Sequence, residues 1–283
     1  MKISVIETGK FKLDGGAMFG IVPKTIWQKL NPPDDKNLCT WSMRCLLVET
    51  GDRKILFDTG IGDKQGDKFR SHFEPHGEDS LLGSLKAKGL GPEDITDVFL
   101  THLHFDHVGG AVRYDDNEQL VPTFPNATYW SNEVHYNWAY YPNPREKASF
   151  LKENFVPLQK AGVLKFIDVQ KGDLEWLPGI DVRFAYGHTE AMMVPIFKQD
   201  NTTLIYCADV IPSSFHLGMP YVMSYDLRPL KTMEEKGRIL EDGVEKNHYL
   251  FFEHDPATAC VTLERNERGR INMKERVNAE TLF

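Results

Sequence analysis

Thr101-His102-Leu103-His104-Phe105-Asp106-His107-Val108-Gly109-Gly110 is the stretch on which the reading of this chain turns. Three histidines and one aspartate fall within six residues, directly after the run Asp97–Leu100 and directly before two glycines that free the backbone to turn. Asp97–Leu100 reads as a buried strand, so the cluster sits where a strand hands over to a loop. In an extended segment, side chains two apart project to the same side, and His102 and His104 can therefore face one metal ion together. Asp106 and His107, further on, can face a second. Neutral imidazole and carboxylate are ligand types that favour zinc, with manganese, cobalt or iron as other occupants.

Outward from this stretch, short β-rich segments alternate with turns and helical patterns. Ser4–Glu7, Ser42–Glu49 and Lys54–Phe57 read as strands, with Gly51-Asp52 as a hairpin signal between the last two. Later strands are expected at Val163–Phe166, Ile180–Ala185, Val194–Phe197, Thr203–Cys207 and Tyr249–Phe252, and helices at Leu81–Lys88 and Glu234–Asn247. An irregular N-terminal excursion is expected at about residues 11–40, rich in Gly and Pro, with one helical turn near Lys24–Leu30. Its aromatic residues offer a pocket wall or a homodimer contact. No linker or low-complexity segment divides the chain, so residues 1–283 read as one domain of mixed α/β architecture.

Bulk properties narrow the partners. A net charge of −8 gives no global attraction to nucleic acid or anionic lipid, so neither is an expected partner. A small, uncharged or moderately apolar substrate fits better. The chain opens on a short apolar run interrupted early by Glu7 and Gly9, unlike a secretory signal, and it contains no run of eighteen apolar residues. The expected compartment is the cytoplasm. Cys39, Cys45, Cys207 and Cys260 lack the paired short spacing of a zinc ribbon and read as reduced, buried residues.

His102-x-His104-x-Asp106-His107 resembles the His-x-His-x-Asp-His signature of the metallo-β-lactamase superfamily. Gly187-His188-Thr189, Ala208-Asp209 and Glu253-His254-Asp255 resemble the later elements of that family in order, each after a strand candidate, and Asp58-Thr59-Gly60 resembles one that supports the site. The resemblance spans about residues 45 to 256. It implies a four-layer αββα sandwich, two mixed β-sheets flanked by helices. It further implies two divalent metal ions, zinc favoured, with His102, His104 and His188 around one, Asp106, His107 and His254 around the other, and Asp209 bridging. Two such ions lower the pKa of a bridging water toward neutrality, so hydroxide can attack a carbonyl carbon or a phosphorus.

Within the superfamily the pattern is most like acyl-homoserine-lactone lactonases and organophosphate-ester hydrolases. The resemblance therefore implies a metal-dependent hydrolase that opens a lactone or cleaves a small ester, with phosphotriesters and thioesters as alternatives on the same site. From another class, an iron-dependent oxygenase or a non-catalytic metal-binding module remains as a reading. Many lactonases place a tyrosine three residues after the bridging aspartate, and here that residue is Pro212. Besides Asp106, the candidates for a catalytic role are therefore His216, Tyr221 and Tyr225 downstream. His72, His76, His135 and His248 lack partner spacing and read as surface or structural residues.

Overall fold

The structure is a computed structural model that describes residues 1–283. Its first sheet is built from β1 (Lys2–Asp14), β2 (Leu38–Thr50), β3 (Arg53–Phe57), β4 (Asp97–Phe99), β7 (Thr128–Ser131) and β8 (Leu164–Phe166), hydrogen-bonded in that order. The antiparallel β5 (Val112–Tyr114) and β6 (Leu120–Pro122) form a separate small ribbon. The second sheet runs β15 (Ile271–Arg276), β14 (Cys260–Arg265), β13 (Tyr249–Phe251), β12 (Thr202–Tyr206), β11 (Met192–Gln199), β10 (Ile180–Ala185) and β9 (Leu174–Leu177). Both sheets mix parallel and antiparallel pairs.

Alternation of side chains along the strands sorts the apolar residues into layers. Leu46, Val48, Ile55, Phe57 and Phe99 point inward, to the core shared with Val182, Phe197, Leu204 and Phe251 of the second sheet. Their neighbours Cys45, Leu47, Leu56, Val98 and Leu100 point outward, onto Leu81 and Leu85 of the helix Leu81–Ala87 and Tyr136 and Ala139 of the helix Glu133–Tyr140. Strands covered on both faces read as continuous apolar runs rather than alternating ones. On the far side, the helix Pro229–Glu245 buries Ile239 and Leu240 and brings Gly243 against Leu250 and Leu263. Two sheets lie face to face with helices outside both, which is the expected αββα sandwich.

The N-terminal excursion is shorter than the expected 11–40. Residues 11–14 and 38–40 are strand, and β1 pairs with β2 as far as Asp14 opposite Leu38, leaving an insertion of residues 15–37 at the tip of a long hairpin. Gly9 obscured this in the sequence: it sits at φ +104 where the register shifts between Glu7 and Lys10, a bulge that bends the strand without ending it. The insertion packs its aromatic residues inward, with Phe19 stacked on Trp27 at 5.2 Å and Trp41 fully buried below. The long helix starts five residues before the expected Glu234, with Pro229 in its first turn, where a missing N–H costs nothing. All four cysteines are buried and unpaired.

Candidate metal centre

Strand direction brings the polar residues together. β3 and β4 are parallel neighbours, and they end at Asp58 and at the histidine stretch. In the second sheet β12 is parallel to β13 and, through the antiparallel β11, runs the same way as β10. Their ends lead into Asp209, His254 and His188. Backbone hydrogen bonds stitch the two sheets at this edge: the Met193 N–H donates to the Thr101 carbonyl at 2.9 Å, and Ser42 and Arg44 donate to the carbonyls of His254 and Glu253.

The seven residues His102, His104, Asp106, His107, His188, Asp209 and His254 converge there, each no more than 7% exposed. His104 Nδ1 lies 3.0 Å from His102 Nε2 and 3.1 Å from His188 Nε2. Asp209 Oδ2 faces the same group, 3.1 Å from His188 Nε2 and 4.0 Å from His102 Nε2. Its other oxygen, Oδ1, faces the second group, 3.1 Å from His254 Nε2 and 3.6 Å from His107 Nε2. Asp106 Oδ2 stands 3.7 Å from His254 Nε2 and 3.8 Å from His107 Nε2. One carboxylate thus spans two groups of donors.

The outer nitrogens of the imidazoles are held by partners, and this network assigns their tautomers. His188 Nδ1–H donates to Asp226 at 2.9 Å and His254 Nδ1–H to the Ser42 carbonyl at 2.8 Å. His102 Nδ1–H points at Thr101 Oγ1, whose own proton goes to Asp58. His107 Nδ1–H lies 3.2 Å from both Asp58 and Glu253. Each of these four rings therefore turns its Nε2 lone pair inward. Burial, with the neighbouring imidazoles, pushes His102 below the ordinary histidine pKa and keeps it neutral, the form that binds metal. At His107 burial acts the same way but is outweighed by Glu253, Asp209 and Asp106, so these carboxylates favour a positive charge beside that ring. A divalent cation meets the same need, and the donor set of imidazole and carboxylate suits one.

Beside the two groups is a cavity of about 450 Å³. Leu13, Met18, Phe73, Phe105 and Met223 form its apolar wall, and Glu146, Tyr225, His104, Asp106, His188, Asp209 and His254 its polar floor, with His102 and His107 buried behind. Of the three downstream candidates, the structure brings only Tyr225 here. The residue is 38% exposed, but desolvation of its hydroxyl on the cavity side, with the carboxylates of Asp14 and Asp106, pushes the phenol pKa up and favours the protonated form. His216 lies elsewhere, stacked on Phe19 at 5.0 Å with its ring nitrogens at the Met18 carbonyl and Ser213 Oγ. Tyr221 meets the edge of the Phe19 ring and lines a separate groove with Phe215 and Met219. The hydrophobic environment of the insertion captures both side chains.

Several contributors were not singled out in the sequence. His135, read there as surface or structural, is fully buried; its Nε2 accepts the Leu103 N–H at 2.9 Å and so braces the histidine stretch from behind. Asp226 and Glu146 are buried acids in loops far along the chain, with no motif to mark them. Gly109 and Gly110 are required for close approach rather than for turning: a Cβ on either would strike the carbonyl of Ile61 or Thr59, in the turn that follows Asp58. Asp58 itself holds φ +59 and Ala208, before Asp209, φ +43, left-handed conformations that cost energy in non-glycine residues.

Comparison with known proteins places this geometry in a family. The family model of the metallo-beta-lactamase superfamily matches residues 44–252. An N-acyl homoserine lactonase of Bacillus cereus is 24% identical over 239 residues, 80% of this chain and 85% of that protein. A solved structure of a probable metal-dependent hydrolase from Staphylococcus aureus is 26% identical, with a TM-score of 0.87 over 100% of this chain and 99% of its own. The lactonase AidC, described as a dizinc quorum-quenching enzyme, shares 22% identity and a TM-score of 0.77 over 98% of this chain and 95% of that one. With the family model covering most of its length, this chain belongs to the metallo-β-lactamase superfamily.

Proposed function

We propose that the protein is a dinuclear metal-dependent hydrolase that opens a lactone or cleaves a small ester, with acyl-homoserine lactones as the leading substrate class. The observation that carries the reading is Asp209, whose two oxygens face two separate groups of donors. His102, His104 and His188 would hold one ion, and Asp106, His107 and His254 the other. Such a pair, with zinc the favoured metal, supplies Lewis acidity and a water deprotonated near neutral pH. The lactonase relatives support the substrate class, and the apolar wall of the cavity suits an acyl chain.

The residues of the chain divide the remaining work. Leu13, Met18, Phe105 and Met223 exclude water and seat the acyl chain, placing the carbonyl over the floor. Asp106 and Asp209 compensate positive charge beneath it. Tyr225 is the sequence candidate that brings a hydroxyl proton into the cavity, and we assign it the proton transfer to the departing alkoxide that Pro212 cannot perform. The same reading takes residues 1–283 as one domain acting in the cytoplasm.

Elemental analysis of the purified protein, with a pH-indicator screen over lactones, aryl esters, phosphotriesters and thioesters, tests the proposal. About two zinc ions per chain and proton release on a lactone or ester is the expected result. A single iron with no hydrolysis overturns it in favour of an oxygenase.

A further inference from the structure

One histidine of the cluster breaks the pattern of the others. His104 turns Nδ1 inward, toward His102 and His188, and leaves Nε2 outward, buried and without a hydrogen-bond partner. Facing that atom is Glu146 Oε1 at 3.6 Å, longer than a hydrogen bond but with nothing else satisfying the nitrogen. Glu146 is 3% exposed and held independently of His104. Trp138 Nε1–H donates to its Oε2 at 2.7 Å, Asn143 Nδ2 donates to the same oxygen, and Thr189 Oγ1 donates to Oε1 at 2.6 Å. Three donors from three segments fix an anion beside a ring that needs an acceptor. Thr189 follows His188, so the same carboxylate also ties down the segment of a second histidine.

We infer that Glu146 is a positioning residue for the group formed by His102, His104, His188 and Asp209, and that it selects the His104 tautomer whose Nδ1 lone pair faces the metal. This rests on the proposed metal-dependent function. The physical reason is electrostatic: a fixed carboxylate stabilises an N–H on the nitrogen it faces, so the proton stays on Nε2 and Nδ1 is free to bind. A small rotation of the ring turns the contact into a hydrogen bond. The effect is local, because the group of Asp106, His107 and His254 has its own partners in Asp58, Glu253 and Ser42.

Glu146→Gln is the informative substitution, since it keeps the shape but can present an amide N–H to His104 Nε2 and so favour the wrong tautomer. The expected result is a roughly 10- to 100-fold weaker affinity for one of two zinc ions, read by competition with a chromophoric chelator, with the other unchanged. Trp138→Phe removes one of the three ties to Glu146 but keeps the charge, and is expected to weaken the same ion less than Glu146→Gln does. Wild-type affinity for both ions in Glu146→Gln, or equal weakening of both ions, overturns the inference. Nitrogen-15 NMR of the metal-free wild-type protein is independent of how Glu146→Gln folds: a dominant Nε2–H tautomer at His104 is expected, and a dominant Nδ1–H tautomer overturns the inference. If wild-type protein binds no metal, the proposed function falls, while the tautomer measurement still decides the role of Glu146.

Discussion

Asp209 and Tyr225 carry different parts of the proposed chemistry, and single substitutions separate them. Asp209→Ala removes the carboxylate that spans both donor groups, so loss of bound metal and of hydrolysis is expected in a chain that circular dichroism shows still folded. Full activity in this variant would remove the site assignment. Tyr225→Phe keeps the ring in the cavity wall but deletes the proton, and kcat on a lactone is expected to fall about 10²-fold with KM little changed. Tyr221→Phe, outside the cavity, should leave both constants alone. At this scale the sequence was legible where residues are close together: His102 to His107 announce themselves by density. It was silent on Glu146 and Asp226 and read His135 only as surface or structural, because the role of a single polar residue depends on what folds against it.

Between residue and molecule, loops rather than sheets decide the shape of the cavity. The segment 213–226 carries Met223, Ser224 and Tyr225 and is anchored from below by Lys236, a buried lysine of the long helix. Its Nζ donates to the carbonyls of His216, Gly218 and Tyr221 at 3.1, 2.8 and 2.8 Å. Lys236→Met leaves three carbonyls without this donor, and a loss of about 1–3 kcal/mol in urea unfolding is expected, with KM raised by a loosened wall. The glycines after the histidine stretch make a second test. Gly109→Ala pushes a methyl group into the Ile61 carbonyl, and a loss of roughly 1–3 kcal/mol or more is expected, with the histidine stretch displaced from the turn holding Asp58. From sequence, strands flanked by turns were readable, whereas β1 was cut short because a glycine inside a strand looks like its end. The register with β2 shows it to be a bulge.

Across the whole molecule, the cluster joins the two sheets, so an ion held there would lend its binding energy to folding. Chelation is therefore expected to lower the melting temperature, and zinc to restore it. At a free metal concentration about a thousandfold above Kd the linkage is about 4 kcal/mol, on the order of 10 °C for a chain of this size. No change in calorimetric Tm on chelation would argue against a metal bound in the native state. No helix is long and apolar enough to cross a membrane. His102, His104, Asp106 and His107 and most of the strands were determined by the sequence itself, because ligand spacing and strand periodicity are local patterns that a chain displays before it folds, whereas the sandwich and the places of His188, Asp209 and His254 followed from the resemblance of successive motifs to the metallo-β-lactamase superfamily. Tertiary structure alone decided which of His216, Tyr221 and Tyr225 reaches the cavity, and which buried acid faces each imidazole. Those outcomes depend on contacts between segments tens to hundreds of residues apart, where burial fixes both the position of a side chain and its proton.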